Sequence, residues 1–520
     1  MPERTFDYVV VGAGTAGCVV AARLAATGAR VALLEAGGPY RRELDLPLLS
    51  LWSWLRWPAR YCWQNVTEPQ AGLDGRRVAW HAGRLVGGSS AINAMIYCRG
   101  HRASYDRWRP ASAAANAPVW DHDALLPYFR RGEDFEGRPS IHHGTGGPIG
   151  VSASRHQTAL GDAFLRGCES LGIRRTDDFN AETAEGASYL HVTQRRGRRT
   201  CSARYLRSGH DQGPTLRLGS PARRIVLEQG RATGVEVGDA DGLHRIHAAR
   251  EVILCAGAVR SPQLLLLSGV GPAEALEPLG IAVVADRPGV GENLQDHVRV
   301  PVAYECAGRR PTTPVALARA AMRYALTRRG LFTSNVADAA AIVRLDPTRD
   351  VPNVRIICRW RVLPEHPTWV VDFEVAAIDP ASRGRVTLAS ADPMRPPRID
   401  PGYLTAAEDA DVLRRGIDLA RAIAATPACR AAGVGAELLP GRDDTPAHVR
   451  RHADTAFHVV GTCRLGGDAR AVVDPWLRVI GVSGLRVVDA SVMPTTVAGN
   501  SQAAVFAIAE RAADLIAAGR

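Results

Sequence analysis

The chain has 520 residues, 46% apolar and 22% charged, with a formal net charge of +11. That length suggests two or three structural units, and the composition excludes global disorder. All 64 basic residues are arginine. A P-loop nucleotide hydrolase is therefore excluded, because it needs the lysine of its phosphate loop, and so is a Schiff-base or pyridoxal-phosphate enzyme, because it needs an amine nucleophile. The densest basic run is Arg195-Arg196-Gly197-Arg198-Arg199, and no basic stripe interleaved with aromatics marks a nucleic-acid groove. The ten cysteines are widely separated with no Cys-x-x-Cys, which reads as reduced, packed thiols with neither a disulfide framework nor a metal site. No basic-then-apolar leader precedes the first strand, and no uncharged apolar run reaches about 18 residues, so a cytoplasmic protein without a membrane span is expected.

The N-terminus reads as β-α-β. Phe6 to Val11 is a short β-branched run of the kind buried in a parallel sheet. Gly12-Ala13-Gly14-Thr15-Ala16-Gly17 follows, then an apolar helix to about Ala26, a stop at Gly28, and a second strand from Val31 to Leu34 ending at Glu35. In that context G-x-G-x-x-G is a dinucleotide fingerprint. Gly12 permits the tight turn, Gly14 lets a pyrophosphate approach the backbone, Gly17 lets helix pack on strand, and Glu35 can accept from a ribose hydroxyl. The motif alone does not separate FAD from NAD. Further on, Gly83-Arg84-Leu85-Val86-Gly87-Gly88-Ser89-Ser90-Ala91-Ile92-Asn93 pairs glycines with hydroxyl side chains, which permits close backbone approach to a flat or anionic ligand. Short strands are predicted between 205 and 256, ending in Glu251 to Gly257. The stretch from 300 to 455 carries no glycine fingerprint and mixes strands (Val370 to Ala377, Arg385 to Leu388) with a helix over Asp409 to Ala425. A final strand ends at Asp489-Ala490, and an amphipathic helix runs from about Gln502 to Ala517.

With these motifs in order, the sequence resembles the glucose–methanol–choline (GMC) family of FAD-dependent alcohol oxidoreductases over nearly its whole length. Gly83 to Asp106 is similar to the family's first signature, and Gly257 to Gly271 to its second. Pro288 to His297, His458 to Arg464, and Val472 through Pro494 are also family-like. The resemblance implies an α/β fold, with a Rossmann-like FAD-binding domain from 1–155, 205–299 and 456–520. A substrate-binding lobe, its mainly antiparallel sheet backed by helices, would take 156–204 and 300–455. It implies FAD as cofactor. Gly12, Gly14, Thr15, Ala16, Gly17, Glu35 and Ala36 would hold the ADP half. Gly83, Arg84, Gly87, Gly88, Ser89, Asn93 and Ala94 would line flavin and pyrophosphate. Ala222 would meet adenine through its backbone, and Ala256, Gly257, Asp489 and Ala490 would complete the site. Some relatives link FAD covalently through a histidine just before the signature asparagine; here that residue is Ile92, so non-covalent FAD is expected. Others carry a second active-site histidine where this chain has Asn500, as choline- and hydroxymethylfurfural-oxidising members do.

An alcohol gives up its α-hydrogen as hydride only as its oxygen becomes alkoxide-like. The site therefore needs an acceptor for the hydroxyl proton and a donor for the developing negative oxygen. The resemblance assigns these roles to His458 as general base and Asn500 as amide donor. His297 is expected to have a packing role. Asp296 and Glu292 beside it form no hydrolytic triad, since no G-x-S-x-G elbow accompanies them. The tryptophans 52, 54, 57 and 63 are expected to pack under a loop or to line an entrance. The expected reaction is oxidation of a primary alcohol to the aldehyde, with reoxidation by O2 or another acceptor. An acceptor-dependent dehydrogenase of one dedicated metabolite, or a lyase with structural FAD, are the alternatives.

Overall fold

The computed structural model describes residues 5–47, 59–113, 117–207, 213–240, 242–307, 313–362, 369–441 and 444–519. Trp52, Trp54 and Trp57 lie outside the described residues. The fold is mixed α/β and is built around two large sheets. In the first, Thr215–Arg217, Val31–Leu34, Thr5–Val11, Gly242–Leu254 and Leu485–Val487 run parallel. The long strand Gly242–Leu254 serves two partners in turn. Its first half pairs antiparallel with Arg231–Asp239, and its second half lies between Thr5–Val11 and Leu485–Val487. Val9, Val10, Leu33, Val252, Ile253 and Leu254 are almost wholly buried, as expected for parallel strands covered on both faces.

Two helices cover this sheet and also place chemistry. Thr15–Ala25 follows the first strand, and Ser501–Ala517 packs against it. The fully buried Glu510 on the last helix accepts from Arg23 (2.8 and 2.9 Å), Arg131 (2.7 Å) and the Tyr205 hydroxyl (2.8 Å). Two guanidinium groups and a phenol neutralise and saturate the carboxylate, which is what makes its burial tolerable. The helix is thereby fixed, and Asn500 sits at its N-cap.

The second sheet is antiparallel throughout: Val434–Leu439, Ala303–Cys306, Trp369–Ala377, Val354–Val362, Ala337–Val343 and Gly186–Tyr189, with Val298–Val300 beside Trp369–Ala377 and Asp454–Thr455 beside Val298–Val300. Alternation gives its faces different jobs. Val354, Ile356 and Cys358 enter a core shared with Phe164, Leu413 and Ile417 of the helices Ala159–Ser170 and Ala407–Ala425. Ile357 faces the other way, into a smaller cluster with Cys98 and Ala498. The sheet thus has one face backed by helices and one against the segment that leads to Asn500.

Candidate active site

Two of the three fingerprint glycines are required by contact. Gly12 has φ +99°, and a Cβ there would lie 2.7 Å from the Cys255 carbonyl oxygen; one on Gly17 would lie 1.8 Å from the Gly12 oxygen. Gly14 differs. Its nearest neighbour would be 3.9 Å away, so that side is open. Thr15 and Ala16 begin a helix whose first turn has no side-chain cap and no acid, which leaves its N-terminal dipole available to an anion. Glu35, buried at the end of the second strand, accepts from the N–H groups of Ala13 (3.0 Å) and Gly37 (2.8 Å). Burial pushes its pKa up despite these bonds. Ala36 lies between them, and Ser220 N–H donates to the Glu35 oxygen (2.9 Å), bringing the strand that starts at Ala222 alongside.

The first signature folds onto this turn. Gly87 N–H donates to the Ala13 oxygen (2.8 Å), and a Cβ on Gly88 would meet the Gly14 Cα at 2.6 Å. Gly83 N–H donates to Ser89 Oγ (3.0 Å). Arg84 lies over the Trp63 ring at 4.6 Å, with Arg260 at 4.3 Å. The Nε atoms of both arginines are buried without a hydrogen-bond partner among the described residues. Asn93 Oδ1 accepts from Met95 N–H (3.0 Å) and from Arg199 (2.9 Å), while its amide donates to Gln502 on the last helix. Asn335 donates to the Ala94 oxygen (2.9 Å). Ala256 N–H donates to Ser261 Oγ (3.1 Å), and Gly257, at φ +82° with open space beside it, donates to Asp489 (2.8 Å). Asp489 also accepts from Ser261 and Ser491, and Ala490 opens the short helix Ala490–Val492. An open Gly14, uncapped helix N-termini at Thr15 and Ser501, and guanidinium nitrogens without a partner among the described residues form a cradle that fits an elongated, anionic dinucleotide.

At its far end stand His458 and Asn500, 2.9 Å apart between Nε2 and Nδ2. Their protonation follows from a chain of contacts. Arg355 can only donate, and its Nη1 reaches Asn500 Oδ1 (3.1 Å), so the amide N–H group faces His458. His458 Nε2 is then an acceptor, and a neutral ring carries its proton on Nδ1. That atom faces His297 Nδ1 at 2.8 Å, and His297 Nε2 faces Thr496 Oγ1 at 3.1 Å. Burial holds His458 well below the usual histidine range, reinforced by His297, Arg355 and Arg299. Burial, with Arg355, takes His297 down to about 3. The backbone is fixed as firmly. His458 N–H donates to Asp296 Oδ1 (2.8 Å), and the other oxygen of Asp296 accepts from Tyr403 and Thr455.

His297 is therefore more than the packing residue expected from sequence: it is fully buried, but it hydrogen-bonds the His458 ring. Arg355 and Tyr403 were not singled out; Asp296 was weighed only as a member of a hydrolytic triad, and Arg199 only as part of a basic run. For Arg355 a signal existed, since an arginine in the apolar run Val354-Arg355-Ile356-Ile357 is a cation in a strand otherwise fit for a core. For Tyr403, far from every motif, none existed.

Similarity to known proteins identifies the family. The GMC oxidoreductase N-terminal family model matches residues 6–299 and the C-terminal one matches 380–509. The chain is 36% identical to oxygen-dependent choline dehydrogenase of Photobacterium profundum, covering 99% of this chain and 93% of that one. It is 37% identical to an acceptor-linked alcohol dehydrogenase of Pseudomonas putida, covering 98% and 95%. Among solved structures it is similar to pyridoxine 4-oxidase from Mesorbium loti, with TM-score 0.87 and 33% identity over 98% of both chains. A variant of Aspergillus oryzae formate oxidase, solved for the effect of a mutation on FAD modification, superposes with TM-score 0.91 at 27% identity over 100% and 99%. With a cradle shaped for a dinucleotide and a neutral histidine beside an amide donor, the chain belongs to the GMC oxidoreductase family and is an FAD-dependent oxidoreductase acting on CH–OH donors.

Proposed function

We propose that the protein oxidises a primary alcohol to the aldehyde, with His458 as general base and Asn500 as hydrogen-bond donor to the same oxygen. The supporting observation is the forced polarity of the pair: an Nε2 lone pair and an amide N–H group meet at 2.9 Å. An alcohol that displaces this direct hydrogen bond would donate its proton to Nε2 and accept from Nδ2, so base and oxyanion donor act on one oxygen. The Nδ1–H group of His458, directed at His297, keeps the ring from rotating as Nε2 takes the proton. Asp296 holds the main chain under it.

The residues proposed to hold FAD are those of the fingerprint (Gly12, Gly14, Thr15, Ala16, Gly17, Glu35, Ala36), of the first signature (Gly83, Arg84, Gly87, Gly88, Ser89, Asn93, Ala94), and Ala222, Ala256, Gly257, Asp489 and Ala490. When bound, FAD supplies the two-electron acceptor for the α-hydrogen. Because Ile92 offers no nucleophile for a covalent bond, acid or heat should release free FAD; yellow colour retained by the precipitate would count against this. The proposed division is 1–155, 205–299 and 456–520 around the cofactor and 156–204 and 300–455 around the substrate, in a cytoplasmic enzyme. The test is anaerobic mixing with an alcohol panel. Bleaching of the flavin is expected, and peroxide on readmitting air separates oxidase from acceptor-dependent dehydrogenase. A flavin that stays oxidised with every alcohol while one substrate is cleaved would turn the reading towards a lyase.

A further inference from the structure

The site-facing side of the antiparallel sheet carries an unusual density of charge. Arg355, Arg359 and Ile357 share one face of Val354–Val362 by alternation, and Asp372, Glu374 and Ala376 share the matching face of Trp369–Ala377. Arg359 pairs with Asp372 (2.7 Å) and with Glu374; Arg299 pairs with Glu374 and donates to the Thr455 oxygen (2.7 Å). Arg361 also reaches Asp372 (3.5 Å) and Asp454 reaches Arg299 (3.4 Å), so the acids of this face all have ion-pair partners other than Arg355. Arg355 is left over. It is 3% exposed, makes no ion pair among the described residues, has a buried Nε with no partner, and spends one N–H on the neutral oxygen of Asn500.

We propose that Arg355 is a specificity-determining residue, fitting the site to alcohols that carry an anionic group, a carboxylate above all, and setting it against cationic alcohols such as choline. The proposal deepens the alcohol-oxidising reading above and depends on it. A guanidinium kept from water is costly unless an anion meets it, and a carboxylate meets it with two parallel hydrogen bonds. Arg355 lies one amide away from the atom that would take the substrate proton, so a short spacer between hydroxyl and carboxylate would span both groups. The reverse case is unfavourable. A quaternary ammonium seeks aromatic faces and carboxylates, yet the ring beside His458, that of Phe457, already faces Arg299 at 5.7 Å, and Glu374 is bridged between two arginines. The same charge bears on the base, because Arg355 helps to keep both histidines neutral.

Turnover of 4-(hydroxymethyl)benzoate, benzyl alcohol and choline by the holoenzyme with a redox dye tests this. The benzoate is expected to have the highest kcat/KM and choline the lowest. In Arg355→Gln the benzoate-to-benzyl-alcohol ratio should fall by about 10- to 10²-fold, one charge-assisted interaction, and Arg355→Lys should keep part of it. Binding of plain benzoate, followed by its perturbation of the flavin spectrum, needs no turnover and should weaken in parallel. Benzoate binding that depends on Arg355 while no alcohol bleaches the flavin would support the charge preference and refute the alcohol-oxidising reading instead. A wild-type preference for choline, or an anion preference that survives Arg355→Gln, would overturn the proposal; the first needs no variant to fold.

Discussion

Two buried histidine sites in this molecule differ in charge, one neutral and one cationic. His458 and His297 touch each other, with Arg355 and Arg299 near, and both are held neutral. His143 is equally buried, but Glu133 (3.0 Å) meets its Nδ1 and Asp178 (2.5 Å) its Nε2, with Phe135 stacked on the ring at 3.8 Å. Two carboxylates on two ring nitrogens require both nitrogens to donate, which only the imidazolium can do. Burial works against that charge, and the hydrogen bonds to Asp178 and Glu133 outweigh it, raising the pKa. Depth alone therefore decides nothing. Burial, reinforced by a second histidine and by arginines, empties one histidine of its proton, making it a base; carboxylate neighbours overcome burial at the other, making it a clamp between Glu133–Phe135 and the loop carrying Asp178.

The comparison breaks most visibly at the base. His458→Ala should still bind FAD, since the cradle is untouched, but flavin reduction by alcohol under nitrogen should slow by about 10²–10⁴ and recover in part at high pH, where hydroxide can take the proton. A folded, yellow variant reducing at the wild-type rate would remove His458 from the mechanism. Asn500→Ala takes away the donor and leaves the base, so a loss of about 10²–10³ is expected in the same stopped-flow measurement. At the clamp, His143→Gln leaves Asp178 and Glu133 facing a neutral group. Removing one partner from a buried ionic network costs about 3–5 kcal/mol; here Arg99, 2.7 Å from Glu133, retains part of the compensation, so a fall in Tm without loss of the flavin-reduction step is the expected result.

The smallest and sharpest contrast is in pH. The fold raises the pKa of His143, so its contribution to stability is complete below the unfolded value of about 6.5 and is lost as pH rises through the folded value. The folded pKa of His297 is depressed to about 3, so its contribution is complete above about 6.5 and is lost as pH falls towards the folded value. Denaturant titrations across pH should show His143→Gln flattening the alkaline side and His297→Gln flattening the acid side. Flattening on the same side in both variants would contradict the assignment of one neutral and one cationic histidine.

How much of this was legible before folding differs between the two sheets. The cofactor side was readable because glycine at 12, 17, 87 and 88 is a backbone requirement, and such requirements leave fixed spacings in sequence. Glu35 and Asp489 followed from strand ends. The histidine pair was half readable. His458 stood out through its motif, whereas the ring-to-ring contact with His297 joins residues 161 positions apart, and no periodicity encodes that. The substrate side was nearly silent. In antiparallel strands the face of each residue is set by register, and register is decided by partners such as Trp369–Ala377 that no local pattern identifies. Arg359 read as a solvated charge until the sheet turned it inward, and the apolar run around Arg355 marked a buried cation without saying what it faced.

The strand Gly242–Leu254 has a consequence for how the chain comes to be made. Its second half lies between Thr5–Val11 and Leu485–Val487, so one flank is completed by a segment synthesised more than two hundred residues later. At about 5–20 residues per second, translation leaves that apolar edge unpaired for on the order of ten seconds or more. Unpaired β-branched edges are templates for pairing with other chains, and Val252, Ile253 and Leu254 make a sticky one. Asn500 and Glu510 arrive later still, so neither the catalytic pair nor the Glu510 anchor of the last helix can form until then. Aggregation during rapid overproduction should therefore yield to slower translation or lower temperature more than to added flavin.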